Sequence, residues 1–247
     1  MRRVPSIVLA VCGGTCAAQT PVVLLRAGDR LTGGPETELI ESFLHPVTNH
    51  VGGYAVALET KDVITQKRRR VIFGSPSGAS ATVMRAQGDQ LTIEPNETFI
   101  DAYFGMSHNG ILAFSSGRAF VPRDPANQPG PRNMVDSLWR GSAEDGFTIL
   151  AVATEDEVSM GAGSNWYWQY FSRVGITGDG KPYWLGGAAA AEFAPSQNHG
   201  LFLFDPDAPT PIVTLVQGGQ TLPGVAFPLR TIHPVGVHFG FSSSGDN

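Results

Sequence analysis

The sequence predicts an all-β protein in which a four-stranded antiparallel unit of about sixty residues repeats along the chain. Three observations predict this fold class. Thirty glycines, eighteen prolines and a charged fraction of 16% in 247 residues indicate many turns. Long apolar patterns with a helical period are absent. A β-rich run that ends in a small residue and an acid also recurs at similar intervals, and such self-similarity is the mark of a repeat protein.

The recurring run marks the last strand of each unit. It occurs four times, at residues 23–29, 83–89, 150–156 and 213–219. Asp29, Asp89 and Asp156 are 60 and 67 residues apart, and Gly219 follows 63 residues later. A residue that recurs once per unit usually serves the turn of that unit, where Asp accepts backbone N–H bonds. We therefore interpret these aspartates as turn residues and not as calcium ligands or acid–base groups.

Two further landmarks complete the unit. A strand, a polar turn with glycine and a second strand are expected at 46–57, 105–114, 174–184 and 232–241. A third strand followed by a turn is expected at 71–73, 138–139 and 200–204. With the recurring run as the fourth strand, each unit has strands a, b, c and d in antiparallel order.

The repeats predict a propeller-like domain over residues 19–247. One four-stranded sheet is apolar on both faces and must be covered by its neighbours, which radial stacking achieves. The chain begins with a lone d strand at 22–28 and ends after strands a and b of a fourth unit near residue 241. About four blades are expected, the last one incomplete, with the opening strand pairing with the closing unit. Whether that blade is incomplete or the chain is shortened is left open.

Residues 1–18 resemble a secretory signal peptide. Arg2 and Arg3 form a positive start, 7–11 is a short apolar run, and 16–18 supplies small residues for cleavage. The predicted location is therefore secreted or periplasmic, with no transmembrane segment after removal of the signal.

Other interpretations of the first residues compete with simple cleavage. A membrane anchor needs about 20 apolar residues, and Gly13 and Gly14 end the run before that length. Cys12 leaves a lipoprotein open, although Val11 before it is large, and the arginine pair alone is a weak twin-arginine signal. The net charge of −5 does not suit a nucleic-acid partner, and the one basic run, 67–70, is interpreted as a solvated hairpin loop.

The a–b turns carry a shared motif. Its copies are Asn49, Gly52 and Ala55; Gly110, Ala113 and Phe114 with Ser107 in place of Asn; Gly180 with Thr177; and Gly236 with His233. In this motif the chain resembles the bacterial choice-of-anchor tandem-repeat proteins, whose repeats carry Asn-x-x-Gly-x-x-Ala-Phe. The resemblance spans most of the chain in a degenerate form. It implies a repeat-built, propeller-like exported protein of uncharacterised role. The sequence departs from the family at 242–247, which is not a hydrophobic tail, so surface attachment by the family's C-terminal anchor is not expected.

Three histidines are candidate metal ligands. His50 and His108 directly follow the first position of an a–b turn, and His233 occupies that position in the fourth unit. Strand a is innermost in a propeller, so these turns are expected near the axis. Imidazoles gathered there would suit zinc or another transition metal. The alternative is that they are hydrogen-bonded turn residues. No cofactor is predicted.

Three aromatic residues are candidates for ligand binding. Trp166, Tyr167 and Trp168 are expected in the d–a connection of the third unit. That connection shares a face with the b–c loops, which differ most between units, at 59–70, 117–136 and 186–199. Aromatic rings there would stack on a sugar or grip a protein, and the alternative is core packing between blades.

The sequence predicts a non-catalytic binding or surface interaction module. Motifs for a serine nucleophile, a zinc protease or a phosphate-binding loop are absent, and no catalytic residue is predicted. The expected ligand is an unknown extracellular carbohydrate or protein. Whether the protein is an enzyme stays open, because a hydrolase or lyase acting on extracellular polysaccharide needs only carboxylates that meet in space. A purely structural repeat protein is the third possibility.

Overall fold

Fifteen β-strands and no helix make up the part of the chain that the structure describes. The computed structural model describes residues 6–9, 22–88, 97–119, 134–154, 156–159, 165–191, 198–221 and 223. The strands are β1 (Ser6–Leu9), β2 (Val22–Arg26), β3 (Glu38–Thr48), β4 (Tyr54–Asp62), β5 (Arg68–Ser75), β6 (Thr82–Ala86), β7 (Glu97–Met106), β8 (Leu112–Ala119), β9 (Met134–Ser142), β10 (Gly146–Val152), β11 (Glu157–Ser159), β12 (Asn165–Ile176), β13 (Pro182–Ala189), β14 (Asn198–Phe204) and β15 (Ile212–Gln217). Over these ranges there is accordingly no helix with the length and hydropathy needed to cross a membrane.

Three larger sheets follow one another along the chain. Sheet one has the order β3-β4-β5-β6, sheet two β7-β8-β9-β10, and sheet three β11-β12-β13-β14-β15. Every ladder is antiparallel, and β1 and β2 form a separate two-stranded sheet. The predicted all-β fold with repeated antiparallel sheets is therefore confirmed, and strands a to d of the first three units correspond to successive strands of one sheet.

Apolar side chains join the sheets face to face in chain order. Ala55 and Ile72 of sheet one pack on Phe104, Phe114 and Trp139 of sheet two. The opposite face of sheet two packs on sheet three. The far face of sheet one buries Val56, Leu58, Val71 and Phe73, with Leu31 packed against them. Each large side chain fully removed from water contributes about 1.5–3 kcal/mol, so the stack is held mainly by this burial.

An aromatic cluster forms the centre of the contact between sheets two and three. Trp168 is fully buried, and its ring centroid lies 4.6 Å from that of Phe202, 5.4 Å from Phe171 and 5.8 Å from Trp184. Leu138 of sheet two packs against the same cluster. Aromatic pairs at these separations add to the energy of simple area burial.

The structure corrects the expected position of the three aromatic candidates. Trp166, Tyr167 and Trp168 lie in strand β12 and not in the d–a connection. The reason is an additional strand: β11 pairs with the start of β12, with Val158 opposite Trp166 and Glu157 opposite Tyr167. This extra ladder extends the sheet into residues that the repeat pattern assigned to a loop.

The acids of the recurring run close their own turns, as expected. Asp29 Oδ2 accepts the backbone N–H of Arg26 at 2.7 Å, and Asp156 Oδ2 accepts that of Val152 at 2.7 Å. In the fourth copy Gln220 Oε1 accepts the N–H of Gln217 at 3.1 Å. The residue that caps this turn is therefore Gln220, one position after the Gly219 that the sequence alignment indicated. Asp89 lies outside the described residues.

The basic run is part of a strand and not of a loop. Arg68, Arg69 and Arg70 open β5, where each faces a glutamate across the sheet. The ion pairs are Arg68–Glu41 at 2.5 Å, Arg69–Glu38 at 2.7 Å and Arg70–Glu59 at 3.6 Å. The charge of the run is therefore paired within sheet one, and Lys67 alone of these residues lies in the β4–β5 turn.

Two parts of the predicted architecture lie at or beyond the ends of the described chain. The opening strand β2 pairs with β1, which falls within the predicted signal peptide. The expected fourth unit at 232–241, including His233, lies outside the described residues.

Candidate binding site at the turn rim

The β3–β4, β7–β8 and β12–β13 turns, which join strands a and b of the three larger sheets, share one hydrogen-bond design. Their first residues are Asn49, Ser107 and Thr177. The N–H of this first residue donates to the carbonyl oxygen four residues later, at 3.0, 2.9 and 2.9 Å respectively. Its side-chain oxygen accepts the N–H of that same later residue, at 2.6, 3.1 and 2.9 Å. Asn, Ser and Thr are interchangeable here because each offers a short side chain with an acceptor oxygen.

The fourth residue of each turn is a glycine with a positive φ. The angles are +85° at Gly52, +77° at Gly110 and +90° at Gly180. Side chains with a Cβ tolerate this conformation poorly, so glycine recurs at this position. The structure therefore confirms the predicted equivalence of Asn49, Ser107 and Thr177.

The three turns meet at one end of the stacked sheets. Asn49 Nδ2 donates to the carbonyl oxygens of Pro76 at 2.9 Å and of Ser107 at 3.2 Å, which joins the first turn to the second. The backbone N–H of His108 donates to the carbonyl of Gly178 at 3.4 Å, which joins the second turn to the third. We call residues 49–53, 107–111 and 177–181 the turn rim.

Replacing Asn49 by alanine is expected to lower the free energy of unfolding by about 1–3 kcal/mol, because two carbonyl groups and one backbone N–H lose a partner. Asn49→Ser is expected to cost less, since Ser107 shows that a hydroxyl closes this turn. Urea unfolding checks the order, with Asn109→Ala, an exposed residue of the second turn, as the control. Equal stability of the Asn49→Ala and Asn109→Ala variants would contradict the joining role of Asn49.

Two histidine rings meet on the turn rim. The ring centroids of His50 and His108 are 3.2 Å apart, with planes at 71°. Ordinary aromatic pairs have centroids about 4.5–7 Å apart, so the two imidazoles are direct neighbours with no other residue between them. His50 is exposed and His108 is half-buried. The ring of His108 also lies over Gly178, where an added Cβ would be 2.2 Å from His108 Cε1. The absence of a side chain at Gly178 makes room for this ring.

The surroundings of His108 favour its neutral form. Burial lowers its pKa below the ordinary value, the positive charge of His50 lowers it further, and the carboxylate of Asp179 opposes both. A neutral imidazole presents one ring nitrogen as an acceptor or metal ligand. Lys181, the last residue of the third turn, pairs with Asp205 at 3.0 Å and lies 3.9 Å from Asp179. The rim therefore combines imidazole, carboxylate and amine groups from separate sheets.

An NMR titration of His108 is expected to give a pKa below about 6.5, the ordinary value. Its pKa should rise in His50→Gln, since a neighbouring positive charge is removed. Because the folded chain binds the proton more weakly than the unfolded chain, this group stabilises the fold above about pH 6.5 and loses that contribution as the pH falls. A pKa of His108 that stays the same in the variant would show that the two rings do not interact.

The other predicted site residues lie away from the turn rim or outside the described residues. Trp166, Tyr167 and Trp168 are at the opposite end of β12, roughly 30 Å from the third turn by strand length. Trp168 is fully buried and offers no surface to a ligand, while Trp166 and Tyr167 are half-buried. Ligand binding by those two residues stays a prediction. His233 lies outside the described residues.

A pair of carboxyl groups between sheets two and three was not predicted from the sequence. Burial raises the pKa of Asp136 to about 6, and the negative charge of Asp101 adds to this effect. Asp136 Oδ2 lies 3.5 Å from the backbone N of Phe171, and Asp101 Oδ2 accepts the hydroxyl of Ser115 at 3.4 Å. Asp136 could have been found from the alternation of side chains along a strand, because it lies two residues before the core residue Leu138 and so shares its sheet face.

Comparison with known proteins identifies no relative: no family model, no curated protein and no solved structure matches the chain. Function is therefore inferred from the chemistry and geometry of its own residues.

Proposed function

We propose that the protein is an exported, non-catalytic binding module that holds its ligand at the turn rim. The ligand is an extracellular carbohydrate or protein. The observation that carries this proposal is the convergence of three turns of the same design, one from each sheet, on a single polar surface. A repeat scaffold that presents equivalent turns at one end commonly uses that end for recognition.

The scaffold proposed for this module is propeller-like. Its support is the order of the sheets, which pack face to face in the order of the chain, and the contact of their a strands: β7 lies against both β3 and β12. Converging a strands are expected in radial stacking, where they are innermost. In this proposal the remaining residues, through 241, supply the fourth unit.

The groups on the rim suit a ligand rich in hydroxyl or amide groups. Each turn exposes a polar side chain: His50, Asn109 and Asp179. A small number of polar groups that converge in this way orients polar ligands in binding sites. Val51, at 52% exposed, adds one apolar contact at the tip of the first turn.

A glycan array tests the binding proposal. The chain from residue 19 is compared with His50→Ala/His108→Ala and with Tyr167→Ala, which changes the opposite end of sheet three. Ile64→Ser serves as a control, because Ile64 is 74% exposed in the β4–β5 turn. Glycans lost in the histidine variant alone support the rim as the site. Glycans lost in Tyr167→Ala alone place the site at the opposite end, and an array without any binding removes carbohydrate as the ligand.

Export is tested by determining the N-terminal residue of the expressed protein and the cell fraction in which it is found. When the full chain is expressed in a bacterium, we expect it in the periplasm or medium with Gln19 as its first residue. Retention in the cytoplasm with Met1 intact would contradict an exported module.

A polysaccharide hydrolase or lyase is the second candidate function, favoured by the carboxyl pair. A half-buried acid whose pKa is raised to about 6, in part by the charge of a second carboxylate, is typical of general acid–base chemistry. Incubation with a panel of polysaccharides followed by detection of new reducing ends tests this candidate. Turnover that disappears in Asp136→Asn would favour the enzyme over the binding module.

A further inference from the structure

We propose that His50 and His108 bind one divalent transition-metal ion, of the copper, nickel or zinc class, across the junction of sheets one and two. The proposal uses the same turn rim as the proposed function but does not require any carbohydrate or protein ligand.

The two histidines are held together by the residues that precede them. Asn49 and Ser107 are the first residues of their turns, and the Asn49 side chain donates directly to the Ser107 carbonyl at 3.2 Å. Asn49 is fixed in turn by the N–H of Gly53 at 2.6 Å and by Pro76 at 2.9 Å. This short path positions the following residues, His50 and His108, so the imidazoles meet because two sheets meet. Such preorganisation reduces the cost of assembling a site from separate elements.

The local charges suit a cation. Asp179 lies close enough to influence His108 and supplies a negative charge from the third turn. The nearby cation, Lys181, is paired with Asp205 at 3.0 Å. A positive ion between the rings would therefore be attracted by Asp179, whereas two protonated imidazoles would repel each other.

The ligand number sets what kind of site this is. Within the described ranges no group of three His, Cys, Asp or Glu side chains is placed to hold a metal, so the protein supplies two nitrogens and water completes the coordination. Zinc–nitrogen bonds are about 2.0–2.1 Å, which requires the rings to part from their present contact. His50 is exposed at a turn and can rotate outward without disturbing the core. Nitrogen ligands favour Cu²⁺ over Ni²⁺ and Zn²⁺, and they disfavour Ca²⁺ and Mg²⁺.

Calorimetric titration of the untagged chain from residue 19 with Ni²⁺, and then Zn²⁺, tests the site. We expect one ion per chain and no heat with Mg²⁺. Loss of a residue that only hydrogen-bonds to a metal ligand costs about 10–100-fold in metal affinity. Loss of a direct ligand should cost at least as much, so His50→Gln and His108→Gln should each weaken binding by at least about tenfold. His199→Gln is the matched control, since His199 bonds to Tyr170 at 2.7 Å in sheet three, and it should leave the affinity unchanged.

Electron paramagnetic resonance of the Cu²⁺-loaded wild-type chain gives a second measurement that does not depend on the folding of a variant. Two coordinating nitrogens support the pair. The proposal is overturned by an absence of binding to the wild-type chain, by affinity that persists in the double histidine variant, or by a signal from a single nitrogen. These measurements contain no carbohydrate, so failure of the metal proposal would not change the result of the glycan array that tests the proposed function.

Discussion

Replacing Trp168 by alanine is expected to lower the free energy of unfolding by about 3–5 kcal/mol. Trp168 is fully buried and contacts Phe171, Trp184 and Phe202 at the contact between sheets two and three. Alanine removes one of the two fully buried tryptophan side chains of this cluster, and the neighbouring side chains can fill the resulting cavity only in part. Urea unfolding followed by circular dichroism measures the change.

Trp166→Ala is the matched control for Trp168→Ala. Trp166 lies two residues earlier on the same strand but is only half-buried, so its replacement is expected to cost clearly less. Equal losses in the two variants would contradict the central position of Trp168 in the core. A loss of ligand binding without a loss of stability in Trp166→Ala would instead support the surface role that the sequence suggested.

Replacing Asp136 by asparagine is expected to raise the free energy of unfolding by about 2–3 kcal/mol near pH 8. Burial raises the pKa of Asp136 from its ordinary 3.8 to about 6, so ionisation of this group opposes folding. Each unit between the two pKa values corresponds to about 1.4 kcal/mol. The cost is present in full above about pH 6, decreases as the pH falls toward 3.8, and is absent below that value.

The pH dependence identifies the cause of the Asp136 effect. The gain from Asp136→Asn should shrink to less than about 1 kcal/mol near pH 4, where the wild-type carboxyl is largely protonated. Glu144→Gln, in the exposed β9–β10 turn, should change stability little at either pH. A destabilised Asp136→Asn at pH 8 would mean that the carboxylate is held by favourable partners and that burial does not control its pKa.

The repeat pattern of the sequence predicted the strands because it depends on local chemistry. Glycines with positive φ and short polar residues recur at the a–b turns, and the aspartates of the recurring run accept N–H groups only a few residues away. These interactions are formed within about five residues, so their signal survives in the linear sequence. The one-residue error at Gly219 arose because a glutamine, Gln220, performs the capping role in the fourth copy.

The site was predictable to the extent that it follows from the repeat. His50 and His108 were placed near each other because they occupy equivalent positions of adjacent units, and the structure brings their rings together. Trp168 was assigned to a loop because the pairing of β11 with β12 has no counterpart among the described strands of the other repeats, so the repeat pattern could not predict it. Asp136 was missed for a related reason: its pKa is raised mainly by burial where sheet two packs on sheet three, and secondarily by the charge of Asp101 on another strand. Neither cause is visible in the local sequence.

The most direct test of the account concerns the meeting of the first two turns. Cys12 and Cys16, the two cysteines of the chain, are replaced by serine, and pyrene is attached to cysteines introduced at His50 and His108. Strong excimer emission is expected, because the rings at the two positions are direct neighbours. A control with Thr65 and His108, separated by the length of β4 or roughly 30 Å, should emit as monomer. Monomer emission from the His50 and His108 pair in the folded chain would contradict the stacking of the sheets and the turn rim together.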